Sequence, residues 1–236
     1  MSRADADAVA TFVADLVQEL QDNRLTLCDT EFLAAVESGT ATRPQIAAWA
    51  KTFHSTTRNG RIGLGNYYAN SPDDSELRAD LAANIYEEET GRISGVNRCH
   101  ADVFYDFLSA CGVSREEADA TPSPVGPPYP PQGRRIEPDD YFVELSAYGL
   151  NVEVPNAEFC IRIGNALREH YGYDDSALTW FTMHAHLDAD HGDEFRKYAA
   201  RAAEYPDGLN RVRTATLDMA PLVQTAWDAF GTWKAA

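Results

Sequence analysis

Apolar positions recur along this chain with a helical period. Residues 4–22 place Val9, Phe12, Val13, Leu16, Val17 and Leu20 on one face at i, i+3, i+4 spacing, which predicts an amphipathic helix. A shorter segment at about 29–38 carries Phe32, Leu33 and Val36. Thr42-Arg43-Pro44-Gln45 reads as a helix start, a Thr cap followed by Pro in the first turn. The helix it opens is expected to run to about Asn70, with Ile46, Trp49, Ala50 and Phe53 inward. Asn70-Ser71-Pro72-Asp73-Asp74 breaks the chain and caps the next helix. That helix carries Leu77, Leu81 and Ile85 into Glu87-Glu88-Glu89-Thr90-Gly91. Gly91 and Gly95 mark an interruption. A new helix is expected from near Val96, through His100, Phe104, Phe107 and Leu108, to a stop at Cys111-Gly112.

The stretch 121–138 is dense in proline. Proline lacks the amide donor a helix needs, so this stretch reads as an extended surface crossover. Helical segments of similar character flank it, so it does not read as a domain boundary. Three long helices should follow, at about 139–171 (bent at Pro155), 174–203 and 206–234. No alternating strand or hairpin pattern is present. The expectation is an all-α chain, one helical bundle over residues 1–236 with about seven to nine helices.

Composition narrows the function. The formal charge is −17, with a pI near 4.6. Such a surface repels phosphate backbones and anionic lipid, which argues against nucleic-acid and membrane partners. No apolar run approaches the roughly 18 residues of a membrane span. The opening Met1-Ser2-Arg3-Ala4-Asp5-Ala6-Asp7 lacks the apolar core of a signal peptide, so a cytoplasmic location is expected. Cys28, Cys99, Cys111 and Cys160 are widely spaced, with no C-x-x-C, and read as buried small hydrophobes.

Three of the six histidines fall within eight residues, His184, His186 and His191, among aspartates. At roughly 100° per residue, His184, Asp188 and His191 share one narrow stripe, while His186 and Asp190 fall on the opposite side. Trp180 and Phe181 precede the stripe by a turn and Phe195 follows it. Two imidazoles and a carboxylate are costly to bury unpaired. A cation removes that cost, and H-x-x-x-D-x-x-H offers three donors to first-row metal ions.

Three donors leave a metal under-coordinated. Glu87-Glu88-Glu89 stands at a helix C-terminus, where the helix dipole disfavours negative charge. Plain solvent exposure is the alternative reading. His100 shares a face with Phe104 and Phe107, and Asn151, Glu153 and Glu158 lie among apolar residues. No Glu-x-x-His, H-E-x-x-H, Gly-rich phosphate loop or G-x-S-x-G occurs. Phe53, His54, Arg58 and Tyr67 are candidate pocket residues. His54 and Arg58, one turn apart, could hold a carboxylate. The alternative is that His54 packs in the core and Arg58 faces solvent.

Together, Glu88-Glu89-Thr90-Gly91, His100, Glu153-Val154-Pro155 and Phe181 through His184 and Asp188 to His191 resemble the haem-oxygenase-like di-iron oxidases and oxygenases, over residues 40–205. The resemblance implies a haem-oxygenase-like helical bundle. It implies six metal ligands, Glu88, His100, Glu153, His184, Asp188 and His191, with Asp188 mobile. Glu87 or Glu89 remains an alternative to Glu88, and Asn151 or Glu158 to Glu153. The resemblance further implies two Fe(II) per chain, with O2 as co-substrate. The substrate would be a small amine- or carboxylate-bearing metabolite of natural-product biosynthesis. A homodimer and an external electron donor are compatible with it. Manganese competes with iron on ligand chemistry alone. Two other readings stand beside this one. The first is a metal-free enzyme resembling thiaminase II or the quinone-cofactor synthases, with Cys160 as nucleophile. The second is a non-enzymatic small-molecule-binding protein.

Overall fold

The computed structural model describes residues 3–123 and 133–229. Within its helices, the side chains of residues 3–5 and 188–195 lie outside the described residues. Residues 124–132, half of the proline-dense crossover, lie outside them too. The described residues form α1 (Arg3–Asp22), a 3-10 turn (Leu27–Asp29), α2 (Glu31–Glu37), α3 (Arg43–Thr57), α4 (Gly60–Asn70), α5 (Ser75–Thr90) and α6 (His100–Ala110). They continue with α7 (Arg115–Ala120), α8 (Pro138–Tyr148), a π-helical segment (Gly149–Glu153), α9 (Val154–Tyr171), α10 (Thr179–Ala202) and α11 (Gly208–Ala229). The fold is all-α, and no strand occurs among the described residues.

Local sequence explains most boundaries. Thr42 and Gln45 form a reciprocal capping box that satisfies two orphan amides of α3, with Pro44 in the first turn. Asp74 accepts from the amides of Glu76 and Leu77 and starts α5. The single helix expected over 43–70 is divided, however. Arg58 closes α3, and Asn59 takes a non-helical conformation with no side-chain cap. Asn and Gly are weak helix formers, so the chain bends at Asn59-Gly60. The short α7, which Ser114 caps, was not anticipated. Dividing the long helices and adding α7 turns the seven to nine helices expected into α1–α11.

The bend expected at Pro155 takes a different form. The π segment runs directly from α8 into α9, and the Val154 amide reaches back to the Gly149 carbonyl. The wider turn accommodates a proline that has no amide to donate.

The α10 helix packs most extensively on α9 and also on α8, and α11 packs on α8. One hydrophobic cluster centres on Trp49, stacked between Phe32 (centroids 4.6 Å) and Phe53 (4.7 Å). A second gathers Val13, Leu16, Tyr141 and Leu145. No helix among the described residues is long and apolar enough to cross a membrane.

Candidate metal centre

The geometry begins where α5 ends. Gly91 takes a left-handed backbone (φ 58°) and donates its amide to the Glu87 carbonyl. A Cβ at Gly91 would collide with the Arg98 carbonyl and the Val96 side chain, so the close approach of residues 96–98 requires glycine. The turn folds residues 92–99 back over the end of α5. There the amides of Ile93 (2.6 Å) and Ser94 (3.2 Å) donate to the Glu87 carboxylate. Gly95 and Asn97 also have positive φ, which delays α6 from the expected Val96 to His100.

His100 is thereby delivered between two glutamates. Its Nε2 lies 3.0 Å from Glu87 Oε1, and its Nδ1 lies 2.9 Å from Glu88 Oε1. Glu89 turns away to Arg61, at 2.6 Å. Burial disfavours the His100 imidazolium, but the hydrogen bonds and charges of Glu88 and Glu87 outweigh it, so the His100 pKa is raised. Burial would also raise the Glu87 pKa. Hydrogen bonds from Ser94, His100 and the Ile93 amide reverse that, and the group stays a carboxylate.

α10 supplies the next donor. His184 is buried and His186 exposed, as the helical period requires. His184 Nδ1 lies 2.9 Å from the Trp180 carbonyl. A carbonyl only accepts, so Nδ1 donates and the neutral ring keeps its lone pair on Nε2. The His184 ring sits 3.9 Å from that of Trp180 and 5.0 Å from that of His100. Ligand atoms of Glu88, His100 and His184 all lie within 4.8 Å of one another, close enough to hold one ion. Asp188 and His191 follow on α10, but their side chains lie outside the described residues.

The π segment positions Glu153. Its carboxylate accepts from the Tyr148 hydroxyl at 2.6 Å, and both residues line the cavity onto which Glu88, His100 and His184 open. The alternatives lie elsewhere. Glu158 is exposed and pairs with Arg162. Asn151 is buried, donates to the Ala147 and Thr216 carbonyls, and is not among the cavity's lining residues. Residues five apart share a face in a π turn but not in an α-helix, so helical periodicity held no signal for the Tyr148–Glu153 contact.

The cavity holds about 170 Å³. Aromatic side chains, Phe53, Phe104, Trp180 and Trp227, line it together with the glutamates and histidines, His54 and Arg58. Tyr67 is not among the lining residues; it packs edge-on against Tyr141. Cys160 is 1% exposed, its Sγ faces Asn156, and it too is absent from the lining.

A family model described as iron-containing redox enzyme matches residues 47–224. The chain belongs to this family of iron-containing redox enzymes. The match reaches from α3 into α11 and includes every candidate ligand named above. For this family member, redox chemistry is the class of function that membership supports, and the Glu/His cluster is consistent with iron. A solved structure from Shewanella denitrificans OS217, described as a domain of unknown function with a haem-oxygenase-like fold, superposes with a TM-score of 0.58 at 14% identity. The match covers 97% of this chain and 90% of that one. At that identity the likeness shows the fold, which is haem-oxygenase-like. No curated protein matches the chain.

Proposed function

We propose that this chain is a non-haem di-iron oxidoreductase. In this reading it uses O2 to oxidise a small amine- or carboxylate-bearing metabolite. The observation that carries the reading is the convergence of Glu88, His100 and His184 on one wall of an aromatic cavity that Glu153 also lines. A mixed carboxylate and imidazole donor set suits iron. Both histidines have the outer contacts that metal-bound imidazoles use. The Trp180 carbonyl fixes the His184 tautomer, and Glu87 engages His100 Nε2 while Nδ1 faces Glu88. Asp188 and His191, with Glu153, complete the six proposed ligands. Bound iron would supply the electrons that reduce O2, and an external donor would restore them where the substrate does not.

The chain's own residues would orient and enclose. Phe104 and Trp180, which line the cavity with His184, would exclude water from the space beside it. Tyr148 holds Glu153 in the cavity wall. The Ile93 and Ser94 amides keep Glu87 ionised and aimed at His100. A role in natural-product biosynthesis, a cytoplasmic location, a single domain over residues 1–236 and a homodimeric state belong to the same reading.

The test is an anaerobic Fe(II) titration of metal-free protein, followed by an O2 pulse watched by stopped-flow absorbance. Two irons per chain and a transient visible band are expected. His184→Ala should abolish tight binding and His186→Ala should not. One iron per chain would refute the paired-ion assignment, and none would refute the oxidase reading as a whole.

A further inference from the structure

The part of the cavity lined by His54 and Arg58 has a chemistry of its own. The interruption between α3 and α4 leaves Arg58 at the last turn of α3, lining the cavity with its side chain 29% exposed. Asp119 occupies only Arg58 Nη1, at 3.1 Å through Oδ1 and 3.3 Å through its main-chain oxygen. Nε and Nη2, the other edge of the guanidinium fork, make no hydrogen bond among the described residues. One turn earlier, His54 also lines the cavity and is 1% exposed, and its Nε2 has no hydrogen-bond partner. Buried polar atoms are paired in the great majority of cases, so an orphan of this kind calls for an explanation.

The rings that link His54 to His184 are apolar. The His54 ring stacks on Phe104 (centroids 5.8 Å, 4° between planes). Phe104 lies edge-on to Trp180 at 5.2 Å, and Trp180 lies 3.9 Å from His184. Three ring contacts thus connect His54 to the Glu88, His100 and His184 wall. Glu87, Glu88, Glu153 and Arg58 all line the cavity. The Arg58 guanidinium attracts an anion.

Taking the cavity as the substrate pocket, as the functional reading above does, we propose that Arg58 and His54 bind the carboxylate of the substrate. The substrate is then a small carboxylic acid with an apolar body. It lies along Phe104 and Trp180, with its acid end away from Glu88, His100 and His184. The free guanidinium edge matches a carboxylate in two-point geometry. Burial, followed by the charge of Arg58, holds the His54 pKa down to about 4. At neutral pH the ring is uncharged and can donate one N–H to the same group. About 170 Å³ is close to the roughly 150 Å³ that accommodates benzene. This limits the bound acid to about six to eight non-hydrogen atoms.

The experiment titrates the full-length protein with hexanoate, hexan-1-ol and hexylamine, as purified and again after chelation of metal. Binding is read by tryptophan fluorescence, to which Trp180 and Trp227 of the cavity contribute, and by calorimetry. Hexanoate should bind at least about tenfold more tightly than either neighbour, with or without metal. Arg58→Gln should remove that preference and His54→Phe should reduce it severalfold. Asp119→Asn, which removes the charge paired with Nη1, should retain it. Equal binding of hexan-1-ol or hexylamine would overturn the proposal, as would a preference that survives Arg58→Gln. A preference that disappears on chelation would also overturn it, because the carboxylate would then sit on the metal. The preference persisting in a protein that takes up no iron would refute only the oxidase reading. Two irons per chain without the preference would refute only this one.

Discussion

His54 makes stability depend on pH in a calculable way. It is 1% exposed and stacked on Phe104, with Tyr105 edge-on at 4.6 Å. The charged and titratable groups around it are Arg58, Asp119, Arg115 and Asp102. Burial comes first, then Arg58, in lowering its pKa from 6.5 to about 4. The folded protein therefore holds this proton less readily than the unfolded chain. Above pH 6.5 both states are neutral and the group contributes nothing. As pH falls from 6.5 towards 4 the unfolded chain takes up the proton first, and stability is lost. At 1.36 kcal/mol per pH unit, the loss at pH 5.0 is about 2 kcal/mol, and it levels off near 3 kcal/mol below pH 4. His54→Phe keeps a ring in the same space and removes the proton site. Urea unfolding of both proteins at pH 7.0 and pH 5.0, above the pI of about 4.6, isolates the effect. Carboxylate titration is common to both proteins and cancels in the difference. The variant should gain about 2 kcal/mol on wild type between the two pH values. A change below about 0.5 kcal/mol would show that water reaches His54 in the folded protein, and would refute the burial argument.

Three further outcomes follow from the site's construction. Gly91→Ala forces a left-handed alanine against the Arg98 carbonyl. It should cost about 2–4 kcal/mol in denaturant unfolding and weaken metal uptake along with it. Tyr148→Phe removes the hydroxyl that holds Glu153. It should weaken iron binding by about 10- to 100-fold while the circular dichroism spectrum stays unchanged. Glu89→Gln, at a residue paired with Arg61 and facing away from His100, should leave iron affinity within about twofold of wild type. An effect as large as that of Glu88→Gln would reassign the register of the three glutamates.

The parts of this protein legible in the sequence are those set by neighbours one helical turn apart. The apolar stripes, the Thr42–Gln45 and Asp74 caps, and the stop at Gly91 each depend on residues within a few positions. All appear where local chemistry placed them. The same periodicity put His184 inside and His186 outside, because a fixed angle per residue needs no knowledge of the rest of the fold.

Tertiary structure decided the remainder. Three consecutive glutamates cannot be ranked by composition. Glu87 and Glu88 face His100 because a loop with three left-handed residues folds back over the end of α5, which no period encodes. Glu153 was likewise one carboxylate among alternatives until the π segment shifted the helical phase ahead of Pro155 and turned it into the cavity beside Tyr148. The pairing of Arg58 with Asp119 and the orphaned His54 Nε2 arise from contacts across more than sixty residues of chain and from burial by distant aromatics. Helical periodicity is a property of the local backbone. A cavity depends on how separate helices stop, bend and pack against one another, and here that happens at Asn59, Gly91 and the π turn.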